Sequence, residues 1–194
     1  MRYICFILFI SCANFSGKKL SHNLEKESSK ICLSSGGSGR LTVLKKTYVF
    51  SYESLLDNEH GKWILAMSFP LRNPETFELD WSEGGKVKFE SSIEDKVLRE
   101  NKNINPNSLY RFTQGLGTFF EEIVSIKSGK KIINPSYNWE IKGKTISSIN
   151  NDKSIKALFD NLIGNNYFGL MSIKYDDLER QSYQLDLVVR NCLK

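Results

Sequence analysis

The chain has 194 residues, with 27 Lys and Arg against 22 Asp and Glu, and therefore a formal net charge of +5. The length suits a single domain, and a composition of 40% hydrophobic and 25% charged residues excludes a largely disordered chain. The basic residues are scattered and accompanied by Glu or Asp instead of forming a stripe, so nucleic acid is not an expected partner.

The N-terminal segment has the layout of an export signal. Arg2 supplies a positive charge, the largely apolar run from Tyr3 to Ile10 follows, and polarity then rises sharply. This run is shorter than the about 20 residues that a membrane-spanning helix needs. We therefore predict an export signal over residues 1–12 and a polar tether over residues 13–31. A buried N-terminal strand is the alternative interpretation of the apolar run.

Two cleavage sites fit the end of this signal. Ser11 and Ala13 form a small-x-small pattern, which predicts a cut after Ala13 and a freely secreted protein. The sequence Phe9-Ile10-Ser11-Cys12 resembles the lipobox of bacterial lipoproteins, although Phe9 stands where that family usually has Leu. The resemblance implies cleavage before Cys12, a lipid on its thiol, the membrane as a partner, and a location in the cell envelope.

The domain is predicted to begin with a loop and two strands. The Gly-Ser run Ser34–Arg40 lacks the spacing of a phosphate-binding loop and is expected to form a flexible turn. Leu41–Glu53 is rich in β-branched and aromatic residues, and Lys62–Leu71 is a second apolar run. Both segments are typical of strands.

A hairpin is predicted over residues 76–90. Phe77 and Leu79 alternate with Glu78 and Asp80, so one face of the first strand is apolar and the other is polar. Two consecutive glycines then favour a turn, and apolar residues return in the second strand.

Two or three helices are predicted to cover the sheet. The first begins at a capping box that starts with Ser92, and the second runs from residue 106 to residue 127 with Pro106 in its first turn. A third is capped by Asp152 and ends at Gly164. Gly115, inside the second helix, either allows close backbone packing or breaks the helix in two.

The remaining segments predict strands. Ser136–Ile149 alternates around a central Gly and reads as a hairpin, and Phe168–Tyr175 and Ser182–Arg190 form a final strand pair. Antiparallel hairpins with segregated helices indicate an α+β fold, with one antiparallel sheet covered by two or three helices. Residues 32–194 are therefore predicted to form a single globular domain.

The cysteines outside the leader predict a disulfide. Cys5 and Cys12 belong to the leader or its edge, which leaves Cys32 and Cys192 at the two ends of the domain. In an oxidising compartment such a pair is expected to be joined, and the alternative is two separate buried thiols. No metal site is predicted, because there is no Cys-x-x-Cys motif and the two histidines lie far apart.

No catalytic residue and no cofactor is predicted. The chain lacks a nucleophile elbow, a phosphate-binding loop and a dinucleotide fingerprint. His60 lies in a polar turn and is expected to be exposed. Glu121 and Glu122 are neighbours on a helix and point about 100° apart, so both are expected on a solvated face.

These observations favour an exported binding module without enzymatic activity, or an envelope-structural protein, with an envelope protein or polymer as its partner. The alternative is an exported hydrolase that uses carboxylates on a polymer. Trp63, Trp81 and Trp139 would then be available to stack on sugar rings, although a core position is favoured for all three. A third possibility is a secreted factor that acts on another cell.

Overall fold

The computed structural model describes most of the predicted domain. The described residues are 23–70, 73–82, 104–130, 132, 134–177 and 181–193, together with the backbone of residues 88–91. The predicted export signal with Cys12, the first part of the predicted tether, and the predicted helix after Ser92 lie outside these ranges.

Within the described residues, ten antiparallel strands form one sheet. Their bounds are β1 Ser35–Val43, β2 Lys46–Asp57, β3 Lys62–Ser68, β4 Glu75–Asp80, β5 Lys88–Ser91, β6 Tyr137–Lys142, β7 Thr145–Asn150, β8 Ile155–Ile163, β9 Tyr167–Asp176 and β10 Ser182–Cys192. The strand order is β5-β4-β3-β2-β1-β10-β9-β8-β7-β6. The sheet therefore consists of two five-stranded meanders that meet where the first and the last strand of the domain pair.

Two helices accompany the sheet in the described part of the chain. The first, α1, is a short helix over residues 23–28, and the second, α2, spans Pro106–Lys127 and connects the two meanders. The side chain of Asn105 caps α2 by accepting a hydrogen bond from the backbone N–H of Asn107 at 2.9 Å. Neither helix is long and apolar enough to cross a membrane.

The core lies between α2 and the inner face of the sheet. Phe120 stacks on Trp63 of β3 with ring centroids 4.2 Å apart, and Phe119 stacks on Trp139 of β6 at 5.6 Å. One helix thus packs against both meanders. All of the apolar side chains on its buried side are nearly inaccessible to solvent, so α2 is the main hydrophobic link between the halves of the sheet.

Close backbone packing explains the glycine in the middle of α2. A Cβ atom on Gly115 would lie 2.0 Å from the Cδ1 atom of Ile155. The Tyr137 hydroxyl donates a hydrogen bond to the Gly115 carbonyl oxygen at 2.8 Å. The helix is continuous through this point, which decides between the two interpretations of the glycine.

The helix predicted to begin at Asp152 is wrong, because this segment is β8. Its apolar residues fit both a helical and an alternating pattern, and pairing with β7 and β9 on either side selects the strand. Ile155, Ala157 and Phe159 point into the core. The Asp152 carboxylate instead accepts hydrogen bonds from the backbone N–H and the hydroxyl of Ser154, in the turn before β8.

The flexible turn predicted over Ser34–Arg40 is also wrong, because this run forms most of the central strand β1. Two of its glycines, Gly37 and Gly39, are required by close neighbours. A Cβ atom on Gly39 would lie 2.1 Å from the ring of Phe50, which occupies that space in the core. In this strand glycine marks close packing on both sides and does not indicate a loop.

The antiparallel sheet built from hairpins is confirmed, including the pairs β4–β5 and β6–β7. The fold is mostly sheet, with a smaller share of helix than the α+β prediction implies. The described part of the predicted tether also has structure: residues 23–28 are helical, and Ser28 and Ile31 are buried. The packed region therefore begins before Cys32.

Candidate functional site

The outer face of the sheet, opposite α2, carries the candidate site. Alternate residues of each strand point away from the core, and the strand register places them in rows. The middle row crosses seven strands and consists of Val49, Arg40, Asp186, Ser172, Leu158, Ser147 and Glu140. No side chain of the core takes part in this row, so it is available to solvent and to a partner.

Two adjoining hollows follow this row and share Leu158 and Ser172; we call them together the outer groove. The first has a volume of about 430 Å³ and reaches from Val49 of β2 to Leu158. The second has a volume of about 330 Å³ and continues to Glu140 of β6. Each volume falls in the usual range for ligand-binding clefts, about 300–1,000 Å³.

Apolar side chains form much of the floor of the outer groove. Val49 is 61% exposed, Val188 is 45% exposed and Leu158 is 37% exposed, and Leu170 lies beside Val188 in the neighbouring row. Outward positions of a half-buried sheet are usually polar. A group of exposed aliphatic residues inside a groove is therefore a feature that a binding surface would explain.

The central carboxylate of the groove is held by its neighbours. Asp186 accepts a hydrogen bond from the Ser172 hydroxyl at 2.6 Å. The Gln184 side-chain amide donates to both of its oxygens, at 2.9 and 3.0 Å. This network fixes the position of the carboxylate and fills most of its acceptor sites, with two hydrogen bonds to Oδ1 and one to Oδ2.

The cations of the groove are less engaged than its acids. Arg40 pairs across the strands with Asp186 by register, and Lys156 lies directly opposite Lys174. Lys174 forms an ion pair with Asp176 at 2.8 Å. Among the described residues, neither Arg40 nor Lys156 has a carboxylate oxygen within 4.0 Å. Two lysines opposite each other destabilise a strand pair, and the Asp176 carboxylate, which interacts with both, offsets part of this repulsion.

The geometry of the groove does not fit the hydrolase alternative. Its carboxylates Asp186 and Glu140 stand in the same row but on β10 and β6, four strand spacings apart, which is about 19 Å. A pair of catalytic carboxylates in a glycosidase lies about 5–10 Å apart. The three tryptophans also pack with the core: Trp63 is fully buried, and Trp81 and Trp139 are partly buried against it.

A second candidate, Glu122, lies in the core and not on the solvated face expected for it. Only 6% of this residue is exposed, between α2 and the start of β6. Its carboxylate accepts hydrogen bonds from the Trp139 ring N–H at 3.1 Å and from the backbone N–H of Ser136.

Burial raises the pKa of Glu122 above its ordinary value, and these hydrogen bonds oppose the rise. Through these two hydrogen bonds Glu122 joins α2 to the start of β6. Its place beside Phe119, Phe120 and Ile123 in the helix is the signal that could have revealed its burial.

The other residues singled out in the sequence take structural positions. The sulfur atoms of Cys32 and Cys192 lie 2.01 Å apart, so this pair is compatible with the predicted disulfide. His60 is exposed in the turn before β3, where its Nδ1 atom lies 2.8 Å from the Asp57 carboxylate. No group of three metal-binding side chains occurs among the described residues.

Comparison of the chain with protein-family models and with curated proteins gave no match.

Sequence reasoning missed the outer groove. The signal was present in β8 and β10, where Leu158 and Val188 occupy outward positions between buried neighbours. It could be used only with the correct strand assignment and register, because the groove joins residues from seven strands that are far apart in the chain.

Proposed function

We propose that this protein is an exported binding module without enzymatic activity, held at the cell envelope by a lipid on Cys12, and that the outer groove is its binding surface. The observation that carries the proposal is the groove itself. It brings exposed aliphatic side chains together with two cations, Arg40 and Lys156, that form no ion pair within the described residues. An isolated apolar residue on a surface needs no explanation, but a lined groove does.

Export is supported by two independent features. The leader ends in a lipobox-like sequence before Cys12, and the Cys32 and Cys192 sulfur atoms have disulfide geometry. Disulfides persist in oxidising compartments such as the periplasm or the cell exterior. The proposed location is therefore the cell envelope, with a free secreted form if cleavage falls after Ala13 instead. We also propose an α+β fold in which two or three helices cover the antiparallel sheet.

The arrangement supports binding and not catalysis. The groove holds no histidine or cysteine, and its central carboxylate is already occupied by Ser172 and Gln184. An open groove on a rigid ten-stranded sheet offers shape, apolar contact and charge. These are the properties by which a module recognises a partner.

Site-specific photo-crosslinking in cells that make the protein tests this proposal. A photoreactive residue is placed at Leu158 in the groove, or at Leu55 as the matched control. Leu55 is also an outward, exposed residue of the same sheet, but it does not line the groove. We expect a discrete crosslinked species with the Leu158 probe and none with the Leu55 probe. Identical patterns from the two probes, or no adduct at Leu158, would refute the groove as the binding surface.

A further inference from the structure

We propose that the occupant of the outer groove is an acidic amphipathic segment of a partner protein, with apolar residues along one face and Asp or Glu beside them. This inference rests on the function proposed above, because it names the chemistry of the partner that the same groove would take.

The apolar residues define the contact face of this segment. Val49 and Leu158 stand at the two ends of a stripe in the middle row, and Val188 and Leu170 lie between them in the adjacent row. The stripe crosses four strand spacings, about 19 Å. A helix covers this length with about 13 residues, and its side chains at i, i+3, i+4 and i+7 form an apolar face of the matching kind.

The charges select an acidic partner. The lining carries three cations, Arg40, Lys156 and Lys174, against two carboxylates. Glu140 forms an ion pair with Lys142 at 3.0 Å, whereas Asp186, hydrogen-bonded by the neutral Ser172 and Gln184, keeps its charge opposite Arg40. Neither Arg40, within the stripe, nor Lys156, on its flank, has a carboxylate oxygen within 4.0 Å among the described residues, and the nearest acids interact with them only at longer range, Asp186 across from Arg40 and Asp176 near Lys156. Carboxylates of a partner would meet both cations and relieve the repulsion between Lys156 and Lys174. The net charge favours the same partner at longer range, because loss of Arg2 with the leader lowers it only from +5 to +4.

The size of the groove argues against a second copy of the chain. The lined region crosses six strand spacings and two residue pairs along the strands, about 29 Å by 14 Å, or about 400 Å². A stable dimer buries about 800 Å² on each partner. A single segment of a partner fits the available area better than a whole sheet face of another copy does.

Titration of two labelled peptides against the mature protein tests the inference by fluorescence anisotropy. Each peptide has about 14 residues with Leu at i, i+3, i+4 and i+7. One carries Glu at most other positions, and its counterpart carries Lys there. We expect the Glu peptide to bind at least about tenfold more tightly, with the difference reduced at high salt. Equal affinities, or tighter binding of the Lys peptide, would overturn the inference.

Matched variants locate the binding. Leu158→Ser is expected to weaken binding of the Glu peptide about tenfold, because it removes an apolar contact that both hollows share. Arg40→Gln and Lys156→Gln are each expected to weaken it about three- to tenfold. Leu55→Ser and Lys45→Gln replace an exposed leucine and an exposed lysine outside the groove and are expected to leave the affinity unchanged. Equal losses in groove and control variants would contradict the assignment.

A third probe separates this inference from a lipid ligand and from the function on which it rests. Vesicles of phosphatidylcholine with phosphatidylglycerol present an anionic amphiphile without a peptide. If they bind with the same dependence on Leu158 and Arg40 while the Glu peptide does not, the partner is a lipid and the inference is wrong. If Leu158 crosslinks in cells but the Glu peptide does not bind, the groove is a binding surface and the proposed chemistry of the partner is wrong. If there is neither a Leu158 crosslink nor binding of the Glu peptide, both proposals are wrong.

Discussion

Gly37 of β1 and Val188 of β10 approach so closely that a Cβ atom on the glycine would lie 2.0 Å from the Val188 carbonyl oxygen. The contact occurs at the irregularity in the β1–β10 register, between Gly36 and Gly37. This pairing joins the two meanders, and both strands contribute to the outer groove. The close approach therefore affects both the junction between the two meanders and two of the strands that line the outer groove.

Substitution of Gly37 by Ala is expected to lower the free energy of unfolding by about 3 kcal/mol. The clash is with backbone, which cannot move aside without loosening the central strand pair. Gly36→Ala is the matched control, because its Cβ atom would meet only the Tyr52 carbonyl oxygen at an ordinary 3.6 Å. We expect Gly36→Ala to change stability by less than about 1 kcal/mol. Urea unfolding of both variants tests this, and equal stabilities would contradict the packing argument.

Prediction from the sequence succeeds for some elements of the fold and fails for β1. The long helix and the β4–β5 hairpin have patterns with one interpretation: a capped helical period after Asn105, and a strict alternation in β4. The Gly-Ser run of β1 has the composition of a loop. Only the Phe50 ring beside Gly39 and the β10 backbone beside Gly37 explain why glycine occupies these two positions. Such neighbours are distant in sequence and cannot be read from a local window.

The prediction of a helix after Asp152 failed for a different reason. Its apolar residues at 155, 158, 159, 162 and 163 match a helix face, while Ile155, Ala157 and Phe159 match a strand. Local pattern does not choose between the two, and sheet pairing does. The outer groove depends on this choice, because Leu158 points outward only in the strand. An error in one element therefore concealed the candidate site. The prediction that Cys32 pairs with Cys192 instead needed only the assignment of Cys5 and Cys12 to the leader and an oxidising compartment, and the geometry of the pair is compatible with it.

Glu122 predicts an unusual pH dependence of stability. Its pKa is raised in the folded state by burial. Between its ordinary value of 4.5 and the raised value, the folded protein binds more protons than the unfolded chain. Stability contributed by this group is therefore present at low pH and is lost as the pH rises through the raised pKa.

The Glu122→Gln variant lacks this titration. We expect the free energy of unfolding of the wild type, relative to the variant, to decrease as the pH rises above 4.5 and through the raised pKa of Glu122. Urea unfolding at several pH values measures the difference. Glu121→Gln controls for the loss of one negative charge at an exposed neighbouring position. A wild-type advantage that stays constant, or grows with pH, would show that burial of Glu122 does not govern its ionisation.

The pairing of Cys32 with Cys192 predicts a measurable contribution to stability. The two residues are separated by 160 positions, so a disulfide between them closes almost the whole domain. The entropic model gives an upper bound of about 5 kcal/mol for such a loop, and measured contributions are typically about 2–4 kcal/mol. We expect reduction, or the double substitution to Ser, to lower the free energy of unfolding by that smaller amount.

Peptide mapping checks the bond directly. A digest made without reductant is expected to contain two peptides joined through Cys32 and Cys192, which separate on reduction. The stability measurement then compares proteins of known bond status. Alkylation of both thiols in the native, unreduced protein would contradict the pairing, whatever the effect of the substitutions.

Cys12 decides how the domain is held in its compartment. If its thiol carries a lipid, the mature chain begins at Cys12 and its intact mass includes a diacylglycerol. We then expect Cys12→Ser to move the protein from the membrane fraction to the soluble fraction. Cys5→Ser is the matched control, because Cys5 lies in the predicted leader and would be removed with it. A soluble wild-type chain that begins at Asn14 would instead establish cleavage after Ala13. The proposed anchor would then be wrong, and the outer groove would have to find its partner from solution.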